Sequence, residues 1–129
     1  MINHLSIGVR DVTRSGKFYD AALKPLGYTR LSDGPTSLGY GDGQVVLWVQ
    51  KSDSPVPADM ASGLHFCLDA PSRKSVDAFH KAALSAGGKD NGPAGLRADY
   101  GDNYGDNYYA AFVIDPDGYR LEAYCGKAE

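Results

Sequence analysis

At 129 residues, 43% hydrophobic, 22% charged and 11% aromatic, the sequence has the composition of a globular protein and the length of one domain able to bury a sizeable core. Its formal charge of −3 comes without a basic stripe, which sets aside nucleic acid and an anionic membrane as main partners. No apolar leader opens the chain and no uncharged run is long enough to cross a bilayer, so a cytoplasmic protein is expected.

Ile2 to Val9 alternates, with Leu5, Ile7 and Val9 on one face and His4, Ser6 and Gly8 on the other, which predicts a strand whose His points away from the aliphatic side. From Asp11 the period lengthens. Val12, Phe18, Tyr19, Ala22, Leu23 and Leu26 recur at three- and four-residue spacings, a helix capped by Asp11 or Thr13 and stopped at Gly27. Short strands follow at Tyr28 to Leu31, Ser37 to Tyr40 and Gln44 to Gln50, the last two joined through Gly41-Asp42-Gly43. The stretch from Lys51 to Ser62, rich in Ser, Pro and Asp, reads as a connector.

After it the order begins again. Gly63 to Asp69 alternates as a strand with His65 and Cys67 opposite Leu64, Phe66 and Leu68, and Pro71 to Ala86 forms a helix with Val76, Phe79, Ala83 and Leu84 inward, closed by Gly87-Gly88. His4 and His65, Phe18 and Phe79, Gly27 and Gly88 each lie 61 residues apart, so the halves read as a repeat. Near the C-terminus, Tyr108 to Ile114 and Tyr119 to Tyr124 flank Asp115-Pro116-Asp117-Gly118, a β-hairpin signature. Alternation in the returning strand puts Arg120, Glu122 and Tyr124 on one face and Leu121, Ala123 and Cys125 on the other. Counted from the Asp-Gly turns the offset is 75, which pairs Leu47 with Glu122. The extra 14 residues fall in Lys89 to Tyr108, read as a polar surface loop carrying a tandem Gly-Asp-Asn-Tyr at 101–104 and 105–108. Arg97 is its one guanidinium and could hold a substrate anion. Cys67 and Cys125 have no CxxC spacing, and two reduced, packed thiols are expected rather than a disulfide or a zinc site.

The opening stretches Asn3-His4-Leu5 and Gly63-Leu64-His65-Phe66, the helix motif Arg14-Ser15-Gly16-Lys17-Phe18-Tyr19 and the closing Asp115-Pro116-Asp117-Gly118-Tyr119-Arg120-Leu121-Glu122 resemble the glyoxalase, bleomycin-resistance and extradiol-dioxygenase superfamily, also called vicinal oxygen chelate. The resemblance covers nearly the whole chain. It implies an α+β fold of two βαβββ modules forming a curved mixed sheet around a cleft, here module one at 1–51, a connector at 52–62 and module two at 63–129 of one domain. It also implies a homodimer that binds a small-molecule substrate, with metal ligands drawn from one chain or from two.

His4, His65 and Glu122 each lie opposite the aliphatic residues of their strands, and two imidazoles and a carboxylate make a facial set that leaves positions open for a chelating substrate. Fe(II), Mn(II), Ni(II), Co(II) and Zn(II) all suit it. Relatives of the glyoxalase I type carry a fourth ligand on the closing strand of module one, and Leu47 there leaves that acid–base pair incomplete. Two readings follow. One is a metal-dependent enzyme, a lyase or dioxygenase, with Tyr104, Tyr108 or Tyr109 as rim proton donors; the other is a metal-free binding protein resembling bleomycin-resistance proteins, with Trp48, Tyr40 and the loop tyrosines as walls. Tyr40, Leu47, Arg97, Tyr104 and Tyr109 are the candidate substrate-binding residues, while Trp48 and Phe112 are expected in the core.

Overall fold

The computed structural model describes residues 1–57 and 59–129, with backbone only at Gly101 and Asp102. Module one runs β1 (Leu5–Val9), α1 (Val12–Leu23), β2 (Thr29–Asp33), β3 (Ser37–Asp42) and β4 (Gln44–Lys51). Module two runs β5 (His65–Asp69), α2 (Arg73–Ser85), β6 (Lys89–Leu96), a short helix α3 (Gly101–Tyr104), β7 (Tyr109–Ile114) and β8 (Arg120–Cys125). Each forms a four-stranded mixed sheet, in the orders β1-β4-β3-β2 and β5-β8-β7-β6, with the first pair of each parallel and the rest antiparallel. The repeat read from the sequence is therefore a repeat of topology. Among the described residues no helix is long and apolar enough to cross a membrane.

The helices form where capping and periodicity agree. Asp11 accepts the Arg14 N–H at 3.0 Å and Ser72 accepts the Ser75 N–H at 3.1 Å, so each helix starts on a side-chain cap. Phe18, Tyr19, Ala22 and Leu23 of α1 and Val76, Phe79 and Ala83 of α2 are buried in one cluster together with Ile7, Val9, Val49, Val113, Leu121 and Ala123 from both sheets. Leu84, expected inward, is exposed, because it lies off the stripe that Phe79 and Ala83 define.

A second difference lies at Lys89–Leu96, expected as loop and found as the edge strand β6. Its Gly and Pro hide the alternation, and its pairing with β7 slips twice, between Asp90 and Gly92 and between Gly92 and Gly95. An edge position tolerates such irregularity and the missing N–H of Pro93.

The Asp-Pro-Asp-Gly turn does more than reverse the chain. Gly118 takes φ 96°, the left-handed conformation the turn requires. Asp115 is buried and accepts from the Tyr19 hydroxyl at 2.5 Å and from the N–H groups of Asp117 and Tyr119 at 2.9 and 2.8 Å. Asp117, its side chain only 2% exposed, accepts from Arg10 N–H, Arg14 Nη2 and Ser15 Oγ at 3.1, 3.1 and 3.3 Å. The last turn of module two thus supplies an anion to the start of α1 in module one, where the helix dipole favours it. Tyr119 completes the join by donating to the Gly8 carbonyl at 2.7 Å.

Candidate functional site

Strand β8 sends Leu121, Ala123 and Cys125 into the core and Glu122 to the opposite face, as alternation requires. Its neighbours present residues to the same face: β5 His65 and Cys67, and β7 Phe112, directly opposite Glu122. These side chains, with Tyr108 and Tyr124, line a cavity of about 610 Å³. Over it lies the segment after β6, contributing Asp99, Tyr100, Asn103 and Tyr104.

Glu122 is 3% exposed and has a partner on each oxygen. The Tyr108 hydroxyl donates to Oε1, and His65 Nε2 stands 3.1 Å from Oε2 as donor. Burial, then the hydrogen bond to Glu122, pushes the Tyr108 phenol well above its ordinary range, so it remains a proton-bearing donor. Desolvation, with the adjacent Glu122 carboxylate second, pushes the Cys67 thiol up to about 12. Cys125 is buried and Cys67 exposed, both free, so the expected pair of packed thiols is half right.

Of the predicted ligands, His65 and Glu122 are brought together and His4 is not with them. The first strand begins at Leu5, one residue later than needed to include His4, which is exposed with Nδ1 2.7 Å from Asn3 Oδ1. Among the described residues no three His, Cys, Asp or Glu side chains form a group able to hold a metal. His65 and Glu122 stand 3.1 Å apart, the separation of a hydrogen bond, and two ligands about 2.1 Å from one ion would stand at a comparable distance.

The predicted substrate-binding residues divide. Tyr104 lines the cavity. Tyr40 and Leu47 are buried in the core, Tyr40 donating to Asp20 Oδ1 at 2.8 Å, so neither reaches the cleft. Tyr109 faces α2, where it donates to Asp77 Oδ1 at 2.6 Å beneath the Arg73 guanidinium. Arg97 donates to the Pro93 carbonyl at 2.6 Å and lies over the Phe112 ring rather than among the lining groups. Phe112, expected in the core, lines the cavity, and Tyr108, expected on the rim, is buried beneath it.

The comparison of Leu47 with Glu122 is also corrected. Ser6 stands opposite Trp48 as Cys67 stands opposite Glu122, so Trp48 occupies the place in module one that Glu122 holds in module two. The count from the turn fails at a β-bulge: Tyr40 pairs with Leu47 but Gly41 with Val45, leaving Val46 as an extra residue. A side chain on Gly41 would stand 1.9 Å from the Gln44 carbonyl oxygen, so the bulge depends on that glycine. Trp48, like Leu47, supplies no ligand, so module one lacks a fourth ligand at this place.

Tyr124 was legible as a cleft residue from its alternation with Glu122; Cys67 was legible from its alternation with His65. Asp99, Tyr100 and Asn103 were not, because no period runs through that segment.

Comparison with known proteins agrees with this architecture. The model of the glyoxalase/bleomycin resistance protein/dioxygenase superfamily matches residues 1–123. No curated protein matches the chain. Among solved structures, a glyoxalase/bleomycin resistance protein from Albidiferax ferrireducens T118 is similar at 30% identity and a TM-score of 0.80, over 95% of this chain and 96% of that one. A glyoxalase-related enzyme from Fulvimarina pelagi (17% identity, TM-score 0.70, 96% and 86% covered) and the fosfomycin resistance protein FosX from Mesorhizobium loti (12%, 0.69, 99% and 93%) share the fold. With paired βαβββ modules, a Glu on the last strand and a family match reaching past that strand's centre, the chain belongs to the glyoxalase/bleomycin resistance protein/dioxygenase superfamily.

Proposed function

We propose that this protein is a metal-dependent enzyme acting on a small oxygen-bearing substrate, with a divalent ion held by His65 and Glu122 of one chain and His4 of a second copy. The observation that carries the reading is the 3.1 Å approach of His65 Nε2 to Glu122 Oε2 beside a cavity large enough for a metabolite. β1 and β5 are both edge strands, and a homodimer that sets one against the other across a two-fold axis supplies the missing imidazole. Bound there, Fe(II), Mn(II), Ni(II), Co(II) or Zn(II) supplies Lewis acidity toward a chelating oxygen of the substrate.

The chain's own residues do the rest. Tyr108 fixes one oxygen of Glu122 and leaves the other for ligation. Trp48, where a second carboxylate would be needed, argues against an isomerisation with two opposed bases; the reaction is proposed as of lyase or dioxygenase type on the family resemblance. Two free cysteines fit a reducing compartment, and a cytoplasmic location is part of the proposal.

Metal analysis tests the reading. After incubation with Mn(II) and gel filtration, the protein is expected to retain about one ion per chain, and His4→Ala, His65→Ala and Glu122→Gln to retain none. Full retention by His65→Ala overturns it. A second reading, a metal-free binding protein, is favoured by one observation: both Glu122 oxygens already have donors. Ligand binding by protein that takes up no metal selects that reading.

A further inference from the structure

The tandem Gly-Asp-Asn-Tyr is used twice in different ways. Its second copy closes the structure: Asn107 accepts from Arg73 at 3.3 Å, and Tyr108 is buried against Glu122. Its first copy is α3, which places Asn103 and Tyr104 on the cavity. Tyr108 is the hub of an aromatic wall, met edge-on by Tyr100 and Tyr104 with ring centroids 4.9 and 5.1 Å away, and at a 38° tilt by Tyr124 at 4.4 Å. Tyr104 is 62% exposed, a large ring left facing open space at the mouth. Among the described residues no Lys or Arg lines the cavity, and Asp99 adds a second carboxylate to Glu122.

We propose that the segment carrying Asp99, Tyr100, Asn103 and Tyr104 is the specificity element of this cleft: Tyr104 and Tyr100 stack a flat ring that carries no negative charge, Asn103 hydrogen-bonds its polar substituent, and Asp99 turns away carboxylates and phosphates. The proposal rests on the cleft being a ligand site and deepens that reading, but not on the metal. A π-rich wall gains from stacking an aromatic face, whereas an anion entering here finds two carboxylates and no guanidinium or ammonium to receive it.

The test uses the full chain in EDTA and two probes that share one ring system, 2-naphthol and naphthalene-2-carboxylate, with binding read by calorimetry. The naphthol is expected to bind at least about tenfold tighter than the carboxylate. Tyr104→Ala and Asn103→Ala are expected to weaken the naphthol about tenfold at unchanged Tm, and Tyr104→Phe to preserve it. Asp99→Asn is expected to strengthen the carboxylate several-fold and leave the naphthol unmoved. A carboxylate bound as tightly as the naphthol, no binding of either, or indifference to Tyr104→Ala overturns the proposal. Because EDTA removes any ion, ring preference without metal uptake leaves the proposal standing while the enzyme reading falls, and metal uptake without ring preference does the reverse.

Discussion

A buried carboxylate that takes a phenol on one oxygen and an imidazole on the other is costly to strip of either, so Tyr108 and His65 are where single substitutions at the cleft should show. Tyr108→Phe leaves Glu122 Oε1 without its donor, and a loss of about 1–3 kcal/mol of stability is expected from denaturant unfolding. If Glu122 is a ligand, the same change also lowers Mn(II) affinity by about tenfold or more, because the residue that orients the ligand has gone. Cys67 gives an independent reading of the local field. With desolvation and the adjacent Glu122 carboxylate pushing its thiol up to about 12, Cys67 is far less ionised at pH 8 than an ordinary cysteine, so iodoacetamide should modify it slowly. Glu122→Gln removes the neighbouring charge and should speed the reaction several-fold, as followed by intact-mass spectrometry. Equal rates in both proteins would mean that Glu122 does not act on the thiol.

Among the elements, the Asp115–Tyr119 turn offers two predictions. Asp117→Ala removes an almost fully enclosed carboxylate from Arg14, Ser15 and the Arg10 N–H, and because the Arg14 left behind is half exposed, a loss of about 1–3 kcal/mol is expected. Burial raises the Asp115 carboxyl to about 6, against the hydrogen bonds that favour its anion. Since its folded value lies above its unfolded one, the stability it contributes is complete below about pH 3.8 and is lost as pH rises through about 6. The midpoint of thermal unfolding should therefore fall through this group as pH rises from about 4 to about 6, and Asp115→Asn should flatten that part of the profile.

The same elements show what could be read from the sequence. Strong periodicity gave both helices and the inward faces of β1, β5 and β8, and the left-handed Gly in the last turn was legible from residue chemistry alone. β6 was hidden because an irregular edge strand rich in Gly and Pro has no alternation to detect. The place of Trp48 was hidden because a bulge changes the count without leaving a mark that a spacing argument can see. Glu122 and His65 are placed by face and repeat; the Tyr108 hydroxyl that donates to Glu122 is not, since nothing in the run Tyr108 to Ile114 says which hydroxyl meets which carboxylate.

At the scale of the whole molecule, the proposed site is divided between copies, and mixing variants tests the division. His4→Ala and His65→Ala chains are each expected to hold no Mn(II); in a heterodimer of the two, one site regains both imidazoles and the other loses both, so after denaturation and joint refolding of an equal mixture, in which about half of the dimers are heterodimers, uptake should return to about a quarter of the wild-type value. No recovery would mean that the ligands belong to one chain. The grip of Asp117 on α1 has a further effect, on the order in which the protein can be completed. The contacts it makes with Arg10, Arg14 and Ser15 each span more than a hundred positions. A growing polypeptide that has only released its first half therefore exposes a helix start still lacking its counter-charge, and closing so long a loop slows the final step. The half that is synthesised first is the half that matures last, and a truncation anywhere before Asp117 would leave it unfinished.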